Sequence, residues 1–139
     1  MADPVQPSNI AVAVATSALK AEQSRMRVIA ENLANADSTS QTPGGDPYRR
    51  QVPVFQPQTV QGAKGVAMTR VVADSTGFGS EYAPGHPAAD AQGYVKLPNV
   101  NPMMEAIDMR NAQRAYQANL SVIETAREMD TSTLSIIKK

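Results

Sequence analysis

The sequence predicts a mainly α-helical fold with a small β insertion. Long N- and C-terminal helices are expected to pack as a coiled-coil-like pair, with an extended loop and short strands between them. All eight glycines of the 139-residue chain lie between Gly44 and Gly93, and residues 8–42 and 103–139 contain neither glycine nor proline. Apolar residues recur in both stretches at helical spacing, whereas the middle alternates as strands do. We therefore predict an extended or disordered N-terminus at 1–8, a helix at 9–36, a Pro/Gly-rich insertion with a small β region at 37–101 and a helix at 102–139.

The N-terminal helix is predicted from a cap and a repeating apolar pattern. Ser8 or Asn9 can cap the helix after Pro7. Two rows of apolar residues then alternate along the helix at three- and four-residue steps, and Glu22 is the single polar residue in them. This pattern is typical of a coiled-coil seam. The helix is expected to end near Asn35, because asparagine tolerates a left-handed cap. The predicted packing residues of this helix are Val12, Leu19, Met26, Ile29 and Leu33.

The middle of the chain predicts two or three short strands followed by a loop. The runs "YRRQVPVFQ" and "GVAMTRVVAD" alternate β-branched and polar residues, and Pro53 indicates an edge or a bend. The run "STGFGSEYAPGHPAADAQGY" predicts an extended loop with little regular structure. Such a backbone is expected to need a neighbour for order.

The C-terminal helix is predicted to start at Asn101-Pro102, a cap followed by a proline in the first turn. Its apolar stripe is wider than a two-helix seam requires, so copies or relatives of the chain are expected to cover the remainder. The predicted packing residues of this helix are Met109, Ala112, Ala115, Tyr116, Val122, Ile123, Ala126, Met129, Ile136 and Ile137.

Composition argues against several classes of function. Thirteen basic and thirteen acidic residues are interspersed, so neither a nucleic-acid-binding stripe nor a polybasic membrane segment is present. The absence of cysteine excludes disulfides and thiolate metal sites. The N-terminal stretch predicts neither a cleaved signal peptide nor a transmembrane span.

No catalytic constellation is predicted, and we expect neither enzymatic activity nor a metal, a cofactor or a small-molecule substrate. His86 is the single histidine, and with Asp90 in a loop it makes a poor metal or acid–base site. The glycines of "TPGG" and "GAKG" lack the spacing of a phosphate-binding loop. Arg49 and Arg50 fit two interpretations equally well, a site for an anion or a partner's carboxylates, or a solvated strand end.

The stretch "ENLANADSTSQTPGGDPYRR" resembles the N-terminal signature of the bacterial flagellar rod, hook and hook-associated axial proteins. The spacing before "TPGG", the form "PYRR" and the later elements "PGHP", "PNVNP" and "RAYQANL" are most similar to the proximal rod members. The resemblance covers nearly the whole chain from about Asn9 onward. The residues that carry the signature and its turns are Asn32, Leu33, Ala34, Asn35, Thr42, Pro43, Gly44, Tyr48, Arg49, Arg50, Asn99, Asn101 and Pro102.

The resemblance implies a structural subunit of the proximal rod, which polymerises through its terminal helices and transmits torque from motor to hook. It implies as partners copies of the chain, other proximal and distal rod subunits, the protein at the junction with the MS ring, and the flagellar type III export apparatus. It also implies a location in the periplasmic part of the basal body, reached without a cleaved signal peptide. The alternatives are another rod or hook-base subunit and, less favoured, a cytoplasmic helical adaptor or export chaperone.

The signature also carries a hypothesis about its own residues. Asn32 and Asn35 are expected to satisfy backbone groups at the helix end, and "TPGG" to redirect the chain towards an outer β layer. Tyr48 and Arg49 would begin that layer and bind a neighbouring subunit. On this hypothesis Asn35→Leu impairs rod assembly more than secretion.

Overall fold

The structure is a computed structural model that describes residues 7–137. Two long helices flank four strands, as the sequence predicts in outline. The helices contain 28 and 36 residues, which correspond to lengths of about 42 and 54 Å at 1.5 Å per residue. Residues 1–6 of the predicted extended N-terminus lie outside the described residues, whereas Pro7 and Ser8 belong to α1. Ser8 and Asn9, predicted to cap the helix, lie within its first turn instead. The elements are α1 (Pro7–Ala34), β1 (Gln51–Val60), β2 (Ala63–Ala73), β3 (Gly79–Tyr82), β4 (Tyr94–Leu97) and α2 (Pro102–Ile137).

Helix α1 ends at Ala34 and continues into a turn, without the left-handed asparagine cap that the sequence predicted. Among the described non-glycine residues only Gln61 has a positive φ, so Asn35 keeps a right-handed backbone. The Asn35 backbone N–H donates to the Glu31 carbonyl at 3.2 Å, and its Nδ2 donates to the same oxygen at 2.8 Å. The side chain therefore supplies the cap that the backbone conformation was expected to supply.

Strands β1 and β2 form a hairpin that is longer than the short strands predicted, with ten and eleven residues. Its turn contains Gln61 and Gly62, whose φ angles are 49° and 81°. Positive φ at both central residues defines a type I′ turn, which matches the twist of paired strands. Pro53 is tolerated because both strands of a two-stranded sheet are edges.

The region predicted to be an extended loop is partly regular. Strands β3 and β4 pair antiparallel, with Gly79 opposite Leu97 and Tyr82 opposite Tyr94. Asp90 orders the connection, since its Oδ1 accepts the backbone N–H groups of Gln92 and Tyr94, each at 2.9 Å. These hydrogen bonds give the segment more regular structure than its Pro- and Gly-rich composition predicted.

The single histidine belongs to the same connection. The His86 side chain is exposed, and its Nδ1 accepts the backbone N–H of Ala88 at 3.0 Å. Its backbone N–H donates to the Ala83 carbonyl, and its carbonyl accepts from Ala89. The contacts of His86 are thus those of a turn residue.

Helix α2 begins at Pro102, as predicted, and Asn101 caps it. The Asn101 Oδ1 accepts the backbone N–H groups of Met103 and Met104 at 3.1 and 3.3 Å. The Asn101 carbonyl accepts the N–H of Glu105, the first regular helical bond. The cap fixes the position of the first turn of α2, which bears Glu105.

The chain forms two compact units, and each helix contributes to both. Unit 1 contains the described residues up to Met26, residues Val54–Arg70 and the described residues from Arg110 onward. Unit 2 contains Arg27–Pro53 and Val71–Met109.

The interior of unit 1 is built mainly from small side chains. Its buried residues are Ala15, Ala21, Ala112, Ile123 and Ala126. In the same unit Met26 of α1 lines one cleft together with Arg110 and Gln113 of α2. Small residues allow backbones to approach closely, but they bury little apolar area each.

The predicted packing residues differ widely in exposure. Ala112, Ile123 and Ala126 on α2 are buried, as is Ile29 on α1. A second group is half-buried and comprises Val12, Leu19, Met26, Met109, Ala115 and Tyr116. A third group is exposed in the described chain and comprises Leu33, Val122, Met129, Ile136 and Ile137. The wide stripe of α2 is thus only partly covered within unit 1.

Candidate functional site: a buried polar network in unit 2

The asparagine at the centre of the signature, Asn32, is buried and uses all of its side-chain hydrogen-bonding capacity. Its Oδ1 accepts the Tyr48 hydroxyl at 2.9 Å and the Gln51 backbone N–H at 2.8 Å. Its Nδ2 donates to the Gln51 carbonyl at 2.8 Å and to Glu105 Oε2 at 3.2 Å. Two donors and two acceptor positions are therefore all occupied. The paired bonds to Gln51 imitate a strand partner and fix the first residue of β1 to the end of α1.

Glu105 is the most buried large side chain of the unit, with 0% of its surface exposed. One carboxylate oxygen accepts Asn32 Nδ2, and the other accepts Arg50 Nε at 2.5 Å. A carboxylate withdrawn from water is stable only when it is paired and hydrogen-bonded, and both conditions hold here. The first turn of α2 is therefore tied to α1 and to the chain just before β1.

Arg50 connects this pair to the rest of the unit. Its Nη1 lies 3.3 Å from Asp74 Oδ2, and its Nη2 lies 3.9 Å from Asp108 Oδ2. Burial is the largest single influence on the pKa of Arg50 and lowers it, but the bonds and charges of Glu105 and Asp74 outweigh burial and raise the pKa overall. The guanidinium therefore stays charged, and its fixed fork of donors suits several carboxylates at once.

A second set of hydrogen bonds links the residues just before β1 to those just after β2. Asn99 Oδ1 accepts the Arg50 backbone N–H at 2.7 Å, and Asn99 Nδ2 donates to the carbonyls of Asp74 and Thr76. Arg49 Nη1 donates to the same two carbonyls at 2.9 and 3.0 Å. The Arg49 guanidinium also stacks on the Phe78 ring, 4.2 Å from its centroid. Both arginines of the signature are thus engaged within the chain.

Besides Arg50, two ionisable groups of the network have shifted pKa values. Burial raises the pKa of the Tyr48 hydroxyl, and the negative charges of Glu31 and Glu105 raise it further. The pKa of Asp74 is lowered, first by the hydrogen bonds that its carboxylate accepts from the Thr76 side chain and backbone, and then by Arg50. The surroundings therefore favour a neutral Tyr48 hydroxyl and an ionised Asp74 carboxylate.

The turn that follows the signature helix is also fixed within unit 2. Gly44 has φ of 67°, and its N–H donates to the Ala88 carbonyl at 3.0 Å. A side chain at Gly45 would collide with the hydroxyls of Ser40 and Thr42. The glycines of "TPGG" are therefore required by a left-handed conformation and by a close approach, which is turn chemistry.

The structure brings most of the predicted signature residues together, with contacts that differ from those expected. Within the chain Tyr48 contacts Asn32, and Arg49 contacts the residues just after β2, while their contact with a neighbouring subunit stays a prediction. Asn32, expected to cap the helix, contacts β1 and α2, whereas Asn35 does cap it. Leu33 and Ala34 lie on the exposed side of the helix end. Neither interpretation of the two arginines describes their intramolecular role.

Sequence reasoning missed Glu105, Gln51 and Asp74. An acidic residue in the first turn of a helix is common because it complements the helix dipole, so Glu105 carried no signal of burial. Gln51 participates mainly through its backbone, which the sequence does not reveal. Asp74 with Thr76 forms an Asx turn that "ADST" could have indicated.

The described residues contain no group of three or more histidine, cysteine or acidic side chains placed to hold a metal ion. None of the described helices is sufficiently long and apolar to cross a bilayer. What the arrangement does chemically is join three chain segments through charge-assisted hydrogen bonds. The role of the network is therefore structural: it holds these three segments together.

Comparison with known proteins agrees with this description. Two family models match, "Flagella basal body rod protein" over residues 13–40 and "Flagellar basal body rod FlgEFG protein C-terminal" over residues 91–136. The chain is 43% identical over 136 residues to the flagellar basal-body rod protein FlgC of Agrobacterium fabrum (strain C58), which covers 96% of this chain and 98% of that protein. It is 43% and 42% identical over 125 residues to the proteins of the same name in Escherichia coli O157:H7 and Salmonella typhimurium (strain LT2), covering 88% of this chain and 92% of each of them.

The two matched segments follow the two helices, the first ending just past α1 and the second spanning β4 and most of α2. The matched models define the class of flagellar basal-body rod proteins. The chain belongs to the FlgC family within that class.

Proposed function

We propose that the protein is a structural subunit of the flagellar proximal rod that transmits torque and catalyses no reaction. The observation that carries the proposal is the buried network around Asn32, Arg50 and Glu105, which joins α1, the base of the β insertion and the start of α2. A subunit under rotation must resist movement of its segments past one another. Buried charge-assisted bonds with defined geometry oppose such movement better than mobile apolar contacts do.

The terminal helices supply the contacts between subunits in this proposal. The helices pair as a coiled-coil-like layer, and the exposed residues of α2, including Val122, Met129 and Ile136, pack against neighbouring subunits. An exposed apolar surface of this extent is typical of a protein that assembles with others. The partners are copies of the chain, other proximal and distal rod proteins and the protein at the junction with the MS ring. The names of the relatives, rod proteins of the basal body, support this assignment.

Export and location complete the proposal. The chain passes through the flagellar type III export apparatus without a cleaved signal peptide and assembles within the periplasmic part of the basal body. The names of the relatives, basal-body rod proteins, support this location. The termini of the helices are proposed to order fully only on assembly.

Electron microscopy of basal bodies tests the function. Particles are purified from a strain that lacks the gene and from the same strain complemented with it. Deletion is expected to leave membrane rings without rod, hook or filament, and complementation to restore all three. Complete rods with attached hooks in the deletion strain would overturn the proposal and favour a cytoplasmic adaptor.

A further inference from the structure

Unit 1 contains a groove of about 970 Å³ between α1 and the β1–β2 hairpin. Half of its lining is apolar, and the other half is polar with one charged residue, Lys20. The apolar lining residues are Val12, Ala13, Ala21, Val60, Val66, Ala67 and Met68, and the uncharged polar ones are Asn9, Thr16, Ser17, Ser24, Gln58 and Gln61. Clefts that combine apolar surface with polar groups are common binding sites for amphipathic helical segments.

The two walls of the groove are fixed to each other. The Val66 backbone N–H donates to Ser17 Oγ at 3.2 Å, which bonds the hairpin to α1. A Cβ at Gly65 would lie 2.6 Å from Ser17 Oγ on α1 and 2.8 Å from Val60 Cγ2 on β1, so a glycine suits this close approach of the hairpin to the helix. The groove is therefore a formed feature of unit 1.

The same unit presents a surface that matches the groove in chemistry. The last described turns of α2 expose Leu134, Ile136 and Ile137, with 61%, 75% and 74% of each residue accessible. Asp130 lies four residues before Leu134 and seven before Ile137. Asp130, Leu134 and Ile137 therefore share one face of the helix. That face has an acidic end and an apolar end.

Spacing and charge match along the two surfaces. Lys20 and Ala13 lie seven residues apart on α1, and Asp130 and Ile137 lie seven residues apart on α2. Both intervals correspond to about 10.5 Å along a helix axis. An antiparallel arrangement would place Asp130 at Lys20 and Ile137 at Ala13 simultaneously.

We propose that the groove binds residues 129–137 of α2 from a second copy of the chain. The proposal rests on the proposed function and names one contact within that assembly. The groove and the α2 end are different surfaces, so the contact is head-to-tail. Repetition of a head-to-tail contact generates a ring or a helical row of subunits.

Cross-linking between differently tagged copies tests the contact, since the chain has no native cysteine. Full-length Ala13→Cys with one tag is mixed with full-length Ile137→Cys bearing another, and a short bismaleimide is added. Gln23→Cys replaces Ala13→Cys as the matched control, because Gln23 is exposed on α1 and does not line the groove. We expect concentration-dependent dimers of Ala13→Cys with Ile137→Cys at several times the control yield.

Charge reversal then tests the register. Lys20→Glu or Asp130→Lys alone is expected to lower the cross-link yield by about threefold to fivefold, and the two together to restore it. Equal yields from the groove and control positions would overturn the proposal. So would cross-links of Ala13→Cys in purified basal bodies exclusively to a different rod protein. Neither result would affect the proposed function, which the deletion strain tests separately.

Discussion

Units 1 and 2 differ in what holds them together. In unit 2 Glu105 accepts hydrogen bonds from both Asn32 and Arg50, and Glu105 and Asn32 are 0% and 1% exposed. In unit 1 the buried residues are mainly alanines, and large apolar residues of α2 such as Leu134 are exposed. Unit 2 therefore contains its own stabilising contacts, whereas unit 1 presents surface that an assembly would bury.

This difference has a consequence for mutagenesis. A substitution in the network of unit 2 should lower the stability of the isolated chain, because it leaves a buried polar group without a partner. A substitution on the exposed face of α2 should leave the isolated chain nearly unchanged and impair assembly alone. The four predictions below test this separation.

Glu105→Ala is expected to have the largest effect, a loss of about 3 kcal/mol in the free energy of unfolding. The substitution leaves Asn32 Nδ2 and the Arg50 guanidinium without their buried acceptor. Urea unfolding of the purified chain, followed by circular dichroism, measures the loss.

Asp108→Ala is the matched control for Glu105→Ala. It lies on the same helix and at the same arginine, but its Oδ2 is 3.9 Å from Nη2 and its side chain is 34% exposed. A loss below about 1 kcal/mol is expected for this variant. Equal losses for the two variants would show that burial of Glu105 does not matter.

Asn32→Leu is expected to cost about 2–3 kcal/mol, because the Gln51 backbone groups and the Tyr48 hydroxyl lose their partners. Asn35→Leu should cost about 1 kcal/mol or less, since its one side-chain bond is exposed. Rod assembly in cells and urea unfolding of purified chains should give the same order. Greater impairment of assembly by Asn35→Leu would favour the sequence-based hypothesis for that residue.

The outcome for these two asparagines shows how far the sequence could predict the structure. Helix positions follow from breakers and apolar period, which are local properties, and α2 begins at the predicted Pro102. The partners of Asn32 are 16, 19 and 73 residues away. Spacing along the chain carries no information about contacts at such separations.

The strands show the same limit in another form. Local alternation correctly indicated β structure around Gln51 and Val66, but it underestimated the length of the hairpin. Strands β3 and β4 have four residues each, too short for a periodicity to be recognised. The connection between them contains the bonds that Asp90 accepts, which composition alone does not predict.

Tyr48→Phe is expected to have an intermediate effect that depends on pH. At pH 8 the variant lacks the bond to Asn32 Oδ1 and should be less stable by about 1 kcal/mol. The raised pKa of Tyr48 means that the folded state holds the phenolic proton more tightly than the unfolded state. This contribution is complete below the unfolded pKa of about 10 and is lost as pH rises through the higher folded value. The difference between wild type and variant should therefore shrink above pH 10, and a constant difference up to pH 11 would contradict the burial argument.

Leu134→Ser is expected to have the smallest effect on stability and the clearest effect on assembly. Leu134 is 61% exposed in unit 1, so the substitution removes little buried area, and the free energy of unfolding should change by less than about 0.5 kcal/mol. Buried against a neighbour, the same leucine would be worth about 2 kcal/mol per contact, repeated for every subunit of the rod. Swimming motility and the number of complete rods per cell should therefore fall while urea unfolding is unaffected.

Gln117→Ser, at an exposed polar position of the same helix, is the control and should alter neither measurement. A large loss of stability for Leu134→Ser would mean that unit 1 already buries this face by itself, and the distinction between the two units would then fail.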